Sequence, residues 1–150
     1  MHLAFTGTKE GWTINQAAMT KGVFKDLIDL GYDVMHNGDC KGSDYRAALM
    51  WKTSFYGKKL ILHPPTNPKH RAFIDFANIV LPEGDYIVRD HQMVDMSSVL
   101  VGTPARPEYL RSGTWATIRY ARKIGIPRII IYPDGSVVRE EPTGLNQFTE

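Results

Sequence analysis

A single cysteine, Cys40, excludes any disulfide within the chain, so the fold has to be held by packing and hydrogen bonds, and a reducing, cytoplasmic setting is expected. Long apolar runs are just as scarce. No window approaches the roughly 20 apolar residues of a membrane span, and Met1 to Phe5 is too short an apolar stretch for a secretory leader, which predicts a soluble, unexported protein with no membrane partner. An excess of one charge is lacking too: 18 Lys+Arg face 16 Asp+Glu for a net charge of +2. The basic residues are scattered apart from clusters such as Arg119, Arg122 and Lys123, which argues against a dedicated nucleic-acid binder. No spacing of His, Cys or Asp matches a metal site, and neither metal nor cofactor is expected.

What is present is 43% hydrophobic content over 150 residues, enough for one domain spanning 1–150, with a core over 1–138 and a loosely held tail over 139–150. Leu3 to Phe5 reads as a buried strand, and Thr13 with Gln16 forms a capping box for a helix with Ile14, Ala17, Phe24, Leu27 and Ile28 on one face and Gly31 as its stop. Val34-Met35 and Lys59 to His63 are the next strands, separated by a helix with Ala47, Ala48, Trp51 and Phe55 inward. Three prolines between Pro64 and Pro68 exclude a helix interior there. A short helix is expected over Arg71 to Phe76, an extended piece over Asn78 to Leu81, and a helix from Asp85 to about Met96. Ser98 to Val101 is a strand, Ser112 to Lys123 a helix, and Arg128 to Tyr132 a β-branched strand of the kind buried on both faces. A turn at Pro133-Asp134-Gly135 leads to a short strand at Ser136 to Val138.

Strands alternating with amphipathic helices predict an α/β, Rossmann-like doubly wound fold: a mainly parallel sheet of about five strands with helices on both faces. Ligands bind such sheets outside the carboxyl ends of the strands. The loops after Phe5, Met35, Leu62 and Val101 gather there, and they hold most of the polar, glycine-rich sequence. Arg111 to Thr117 stands out, because a glycine at a loop-to-helix junction exposes unpaired amides at the positive end of a helix dipole, where phosphate is favoured.

Four segments in order, Ala4-Phe5-Thr6-Gly7-Thr8, His36 to Asp44, Arg89 to Asp95 and Ser112-Gly113-Thr114, resemble the motifs of the SLOG superfamily, which includes the "Lonely guy" phosphoribohydrolases and the DNA-processing protein A family. The resemblance covers the chain to about Tyr132. It implies a nucleotide whose phosphate is held by Thr6, Gly7 and Thr8 together with Arg111, Ser112, Gly113 and Thr114. It further implies that Gly38, Asp39, Gly42 and Ser43 approach the sugar or phosphate, and that Arg89 faces the same cleft. Pairing into homo-oligomers through helices flanking the site is also implied, though the sequence marks no interface.

The phosphoribohydrolases use an arginine and a glutamate three residues beyond the Gly-Thr pair, where this chain carries Thr117. Binding of a nucleotide or nucleotide-derived molecule, as a sensor or ligand-binding protein, is therefore the first expectation. N-glycosidic hydrolysis of a nucleoside monophosphate or an NAD-derived nucleotide is the alternative, with Arg89 as the arginine and Glu108 in place of the missing glutamate. Glu10, Asp39 and Asp44 are further carboxylates on the same edge. Single-stranded DNA binding is a weaker third expectation. Trp12 and Trp115 fit either stacking on a base or the core, and His36 and His63 each end a strand at the proposed cleft.

Overall fold

The computed structural model describes residues 1–142. The chain runs β1 (His2–Gly7), α1 (Ile14–Asp29), β2 (Val34–Asn37), α2 (Ser43–Ser54), β3 (Lys59–Leu62), β4 (Ile79–Val80), α3 (Tyr86–Asp95), β5 (Val99–Thr103), α4 (Gly113–Ile124), β6 (Arg128–Ile131) and β7 (Val137–Glu140). All seven strands form one sheet in the order β4-β3-β2-β1-β5-β6-β7, parallel except where β7 pairs antiparallel with β6. This is the expected Rossmann-like α/β architecture; the sheet exceeds the expected five or so strands because the extended piece near Asn78 and the short strand after Gly135 both join it as edge strands. β4 has only two residues, and β7 carries Arg139 and Glu140, so neither presents a long apolar run. β7 also moves a boundary. Arg139 and Glu140, expected in the tail, sit in the ladder opposite Ile129 and Arg128, while 143–150 lie outside the described residues.

Alternation along β1 distributes the core over two layers. Leu3 and Phe5 point to the side of α1 and α2, joining Phe24, Leu27, Met35, Trp51 and Leu62; Ala4 points to the side of α3 and α4, joining Met93, Leu100, Trp115 and Ile118. Phe24 packs edge-on against both Phe5 and Trp51, with ring centroids 6.2 and 5.4 Å apart. α1 begins with the capping box foreseen at Thr13, each side chain of the Thr13–Gln16 pair accepting the other residue's backbone N–H at 3.0 Å. Its inward face differs from the expected one: Ile14 is 88% exposed, and the first turn turns Gln16 inward instead. The Gln16 amide donates to the carbonyls of Pro104 and Ile131 at 2.8 and 3.0 Å, a tie between the β5–α4 loop and β6 that an isoleucine has no means to make.

Arg71 to Phe76 is not a helix. Ala72 donates its N–H to the Asp39 carbonyl at 2.8 Å and Ile74 donates to the Asp39 carboxylate at 2.9 Å, so the β2–α2 loop takes the amides that a helix would have used. Among the described residues no helix is long and apolar enough to cross a membrane.

Candidate functional site

β1 and β5 are neighbours at the centre of the sheet, and the chain winds away from them in opposite directions, so the loops at their carboxyl ends diverge and leave a crevice. A cavity of about 370 Å³ fills it. One wall is the end of β1 with the loop that follows it, Thr6 to Glu10; the opposite wall is Arg111, Ser112, Gly113 and Thr114 at the start of α4. The floor comes from Gly38, Cys40 and Asp44 of the β2–α2 region, and α3 contributes Tyr86, Arg89, Asp90 and Met93. Pro65, Thr66, Asn67 and His70 close the remaining side.

The loops are locked together by their backbones. Ser43 donates its N–H to the Thr8 carbonyl at 3.0 Å, and Gly42, at φ +85°, lies so close to the Thr8 and Lys9 carbonyls that any β-carbon there would strike both. Ser112 caps α4, its hydroxyl accepting from the Trp115 amide at 3.1 Å. The amides of Gly113 and Thr114 have no hydrogen-bond partner among the described residues, the usual state of the first N–H groups of a helix.

Arg89 is 6% exposed and is oriented by one nitrogen: Nη1 donates to the carbonyls of Gly38 and His63 at 3.0 and 3.1 Å. Its Nε is buried and unpartnered, and no carboxylate among the described residues forms an ion pair with it, Asp85 of its own helix included. Asp44 is 6% exposed with Oδ1 unpartnered; burial pushes its carboxyl up to about 7, against the pull of Arg89. Burial also raises Asp90 to about 6, opposed by the Arg89 charge. The Cys40 thiol is pushed up to about 12 by burial, so it is no nucleophile at neutral pH.

Of the residues expected at the site, Thr6, Gly7, Thr8, Gly38, Arg89, Arg111, Ser112, Gly113 and Thr114 line the cavity, whereas Asp39, Gly42, Ser43 and Glu108 do not. Asp39 is fully buried at φ +54°, paired with Arg71 at 2.9 Å, and has a fold role. Gly42 and Ser43 serve the loop crossing just described. Glu108 faces outward and binds Arg122 at 2.9 Å and Arg119 at 3.2 Å, which holds its carboxyl below the usual range. That placement takes it away from the cavity, where a replacement for the missing glutamate would have to stand. Trp115 is 1% exposed in the core and Trp12 packs edge-on to Phe5; neither lines the cavity.

His36 and His63 form part of a row beneath α3 rather than part of the cavity wall. His2 Nδ1 meets His36 Nε2 at 2.8 Å, His36 Nδ1 meets His63 Nε2 at 2.8 Å, and His63 Nδ1 meets the Gln92 side-chain oxygen at 3.0 Å. Because that oxygen can only accept, His63 donates from Nδ1, and the direction of every bond in the neutral row follows. Burial, then the neighbouring imidazoles, lower His36 to about 3; burial also lowers His63.

The sequence did not single out Tyr86, Asp90, Met93, His70 or Tyr109 as site residues. Tyr86, Asp90 and Met93 share a helical face with Arg89, and that spacing was the available signal.

No family model and no curated protein matches the sequence. Two solved structures share the fold. One is the Moco carrier protein from Chlamydomonas reinhardtii, with a TM-score of 0.61 and 23% identity over 86% of this chain and 74% of that one. The other is DNA processing protein A from Helicobacter pylori, described for its single-stranded DNA binding mode, with a TM-score of 0.62 and 18% identity over 99% of this chain and 71% of that one. At these identities the likeness is one of fold.

Proposed function

We propose that the protein binds a phosphorylated small molecule of the nucleotide class in the crevice between β1 and β5, with the phosphate at the start of α4. The observation that carries this is the gathering of donors without a protein partner around one cavity: the amides of Gly113 and Thr114 and the side chains of Arg111 and Arg89, whose Nε is buried and unpartnered. Leaving the buried Arg89 Nε unpaired costs about 1–3 kcal/mol, Arg111 and Gly113 are open to solvent, and an anion at the helix N-terminus engages several of these donors at once. The SLOG resemblance implies phosphate in the same loops, and the two structural neighbours, a carrier of Moco and a DNA binder, support ligand binding on this fold. The net charge of +2 favours a small ligand over a nucleic-acid strand, whose binding is expected to fall steeply with salt. Calorimetric titration with nucleoside mono- and diphosphates and NAD tests the proposal: saturable one-to-one binding of at least one is expected, and no heat from any counts against it.

Asp90 favours a second reading, N-glycosidic hydrolysis of such a nucleotide. Thr117 stands where the resemblance calls for glutamate, and its hydroxyl donates to the Gly113 carbonyl at 3.0 Å, while Asp90 on the adjacent helix lines the cavity with a carboxyl raised to about 6. A carboxyl titrating near neutrality can activate water or hold a proton for the departing base. Release of free base by the wild type, lost in Asp90→Asn, is expected on this reading; a wild type that binds nucleotides without releasing base leaves binding alone.

A further inference from the structure

Tyr86 opens α3, and α3 is fixed against α4 by the stack of His91 on Tyr120, with centroids 3.6 Å apart, and by the bond from the Tyr120 hydroxyl to Asp95 at 2.7 Å. That docking brings the Tyr86 phenol to the first residue of α4. A β-carbon at position 113 would collide with the Tyr86 hydroxyl and lie 3.1 Å from two ring carbons, so Gly113 is the residue that lets the phenol stand there. The hydroxyl has no hydrogen-bond partner among the described residues, and the same is true of the two amides beside it. Burial pushes the phenol up to about 12, which keeps it protonated and able to donate at neutral pH. Tyr86 is 46% exposed at the cavity mouth, and Arg89, 6% exposed with its Nε buried and unpartnered, lines the same cavity, so the donors there extend beyond a helix end.

We infer that Tyr86 reads the ligand: its hydroxyl completes the phosphate seat formed by the Gly113 and Thr114 amides, and its ring walls off the far side of that seat. This rests on the phosphate placement proposed above. A terminal phosphate monoester offers three oxygens to these donors and needs an open path on one side only. An internal diester offers two free oxygens, and its chain has to continue past the seat, where the Tyr86 ring stands. Tyr86 therefore selects a ligand that ends in phosphate and turns away a polynucleotide strand.

Calorimetry on the wild type and Tyr86→Phe tests this with three probes: the four common ribonucleoside monophosphates, the matching nucleosides, and a dinucleoside monophosphate with an internal diester. Wild type is expected to bind a monophosphate at least tenfold more tightly than the dinucleoside monophosphate. Tyr86→Phe is expected to lose about tenfold for the monophosphate, to bind the nucleoside unchanged, and to melt at the wild-type temperature, since the hydroxyl has no protein partner to lose. Unchanged monophosphate affinity in Tyr86→Phe, a lowered melting temperature, or equal affinity for the diester overturns the role of Tyr86. If the wild type binds no monophosphate, the phosphate seat itself is withdrawn; if the wild type binds and only the variant's expected loss is missing, the seat stands without Tyr86.

Discussion

Two sets of charges in this molecule are treated in opposite ways. Asp39 with Arg71, and Glu108 and Glu140 with Arg119, Arg122 and Arg128, are matched inside the chain. Arg89, Arg111, Asp44 and Asp90 instead meet at one cavity without forming an ion pair among the described residues, and Arg89 and Asp44 each keep a buried atom unpartnered. Matched charges hold loops and strands in place. Buried charges with spare hydrogen-bonding capacity, as on Arg89 and Asp44, lower stability unless something else occupies them, and a ligand in the cavity would do so.

Asp39→Ala is expected to have the largest effect on stability, a loss of about 3 kcal/mol by urea denaturation, because it strands Arg71 and removes the acceptor of the Ile74 amide. A loss below about 1 kcal/mol would erase the distinction between the two sets.

The histidine row is a third, uncharged arrangement, and acid tests it. His36 is neutral when folded, with its pKa lowered to about 3, so below about 6.5 the unfolded chain binds the extra proton. Stability is fully present above about 6.5 and is lost as pH falls toward about 3, at up to about 1.4 kcal/mol per pH unit for this group. His36→Met is expected to flatten that slope between pH 6.5 and 4.5, though His63 continues to contribute. An unchanged slope would show that His36 does not govern acid unfolding.

Arg111→Ala is expected to weaken nucleotide binding by about 2 kcal/mol while leaving the melting temperature in place, as suits a charge with no protein partner among the described residues. Glu108→Ala is the smallest effect: less than about 1 kcal/mol of stability, diminished further by salt, with nucleotide affinity unaltered.

Much of the fold could be read along the chain because its determinants are local. The Thr13–Gln16 capping box, the glycine stop at Gly31 and the β-branched run of β6 each act over a few residues. The errors came where distant backbone decides. Arg71 to Ile74 is shaped by Asp39, more than thirty residues earlier, and Gln16 is drawn inward by carbonyls 88 and 115 residues away. The site divides likewise. The glycine-rich loops that line the cavity announce themselves, but Glu108 turns outward because Arg119 and Arg122 follow at helical spacing on α4. Tyr86 reaches the start of α4, and Asp90 the cavity, only once α3 docks there, a contact no sequence window contains.

A crystal structure of the protein grown with a nucleoside monophosphate tests the central claim most directly. Phosphate oxygens are expected within about 3 Å of the Gly113 and Thr114 amides, with Arg111 turned toward them. A phosphate bound on the outer arginines of α4, with the crevice between β1 and β5 empty, would contradict it.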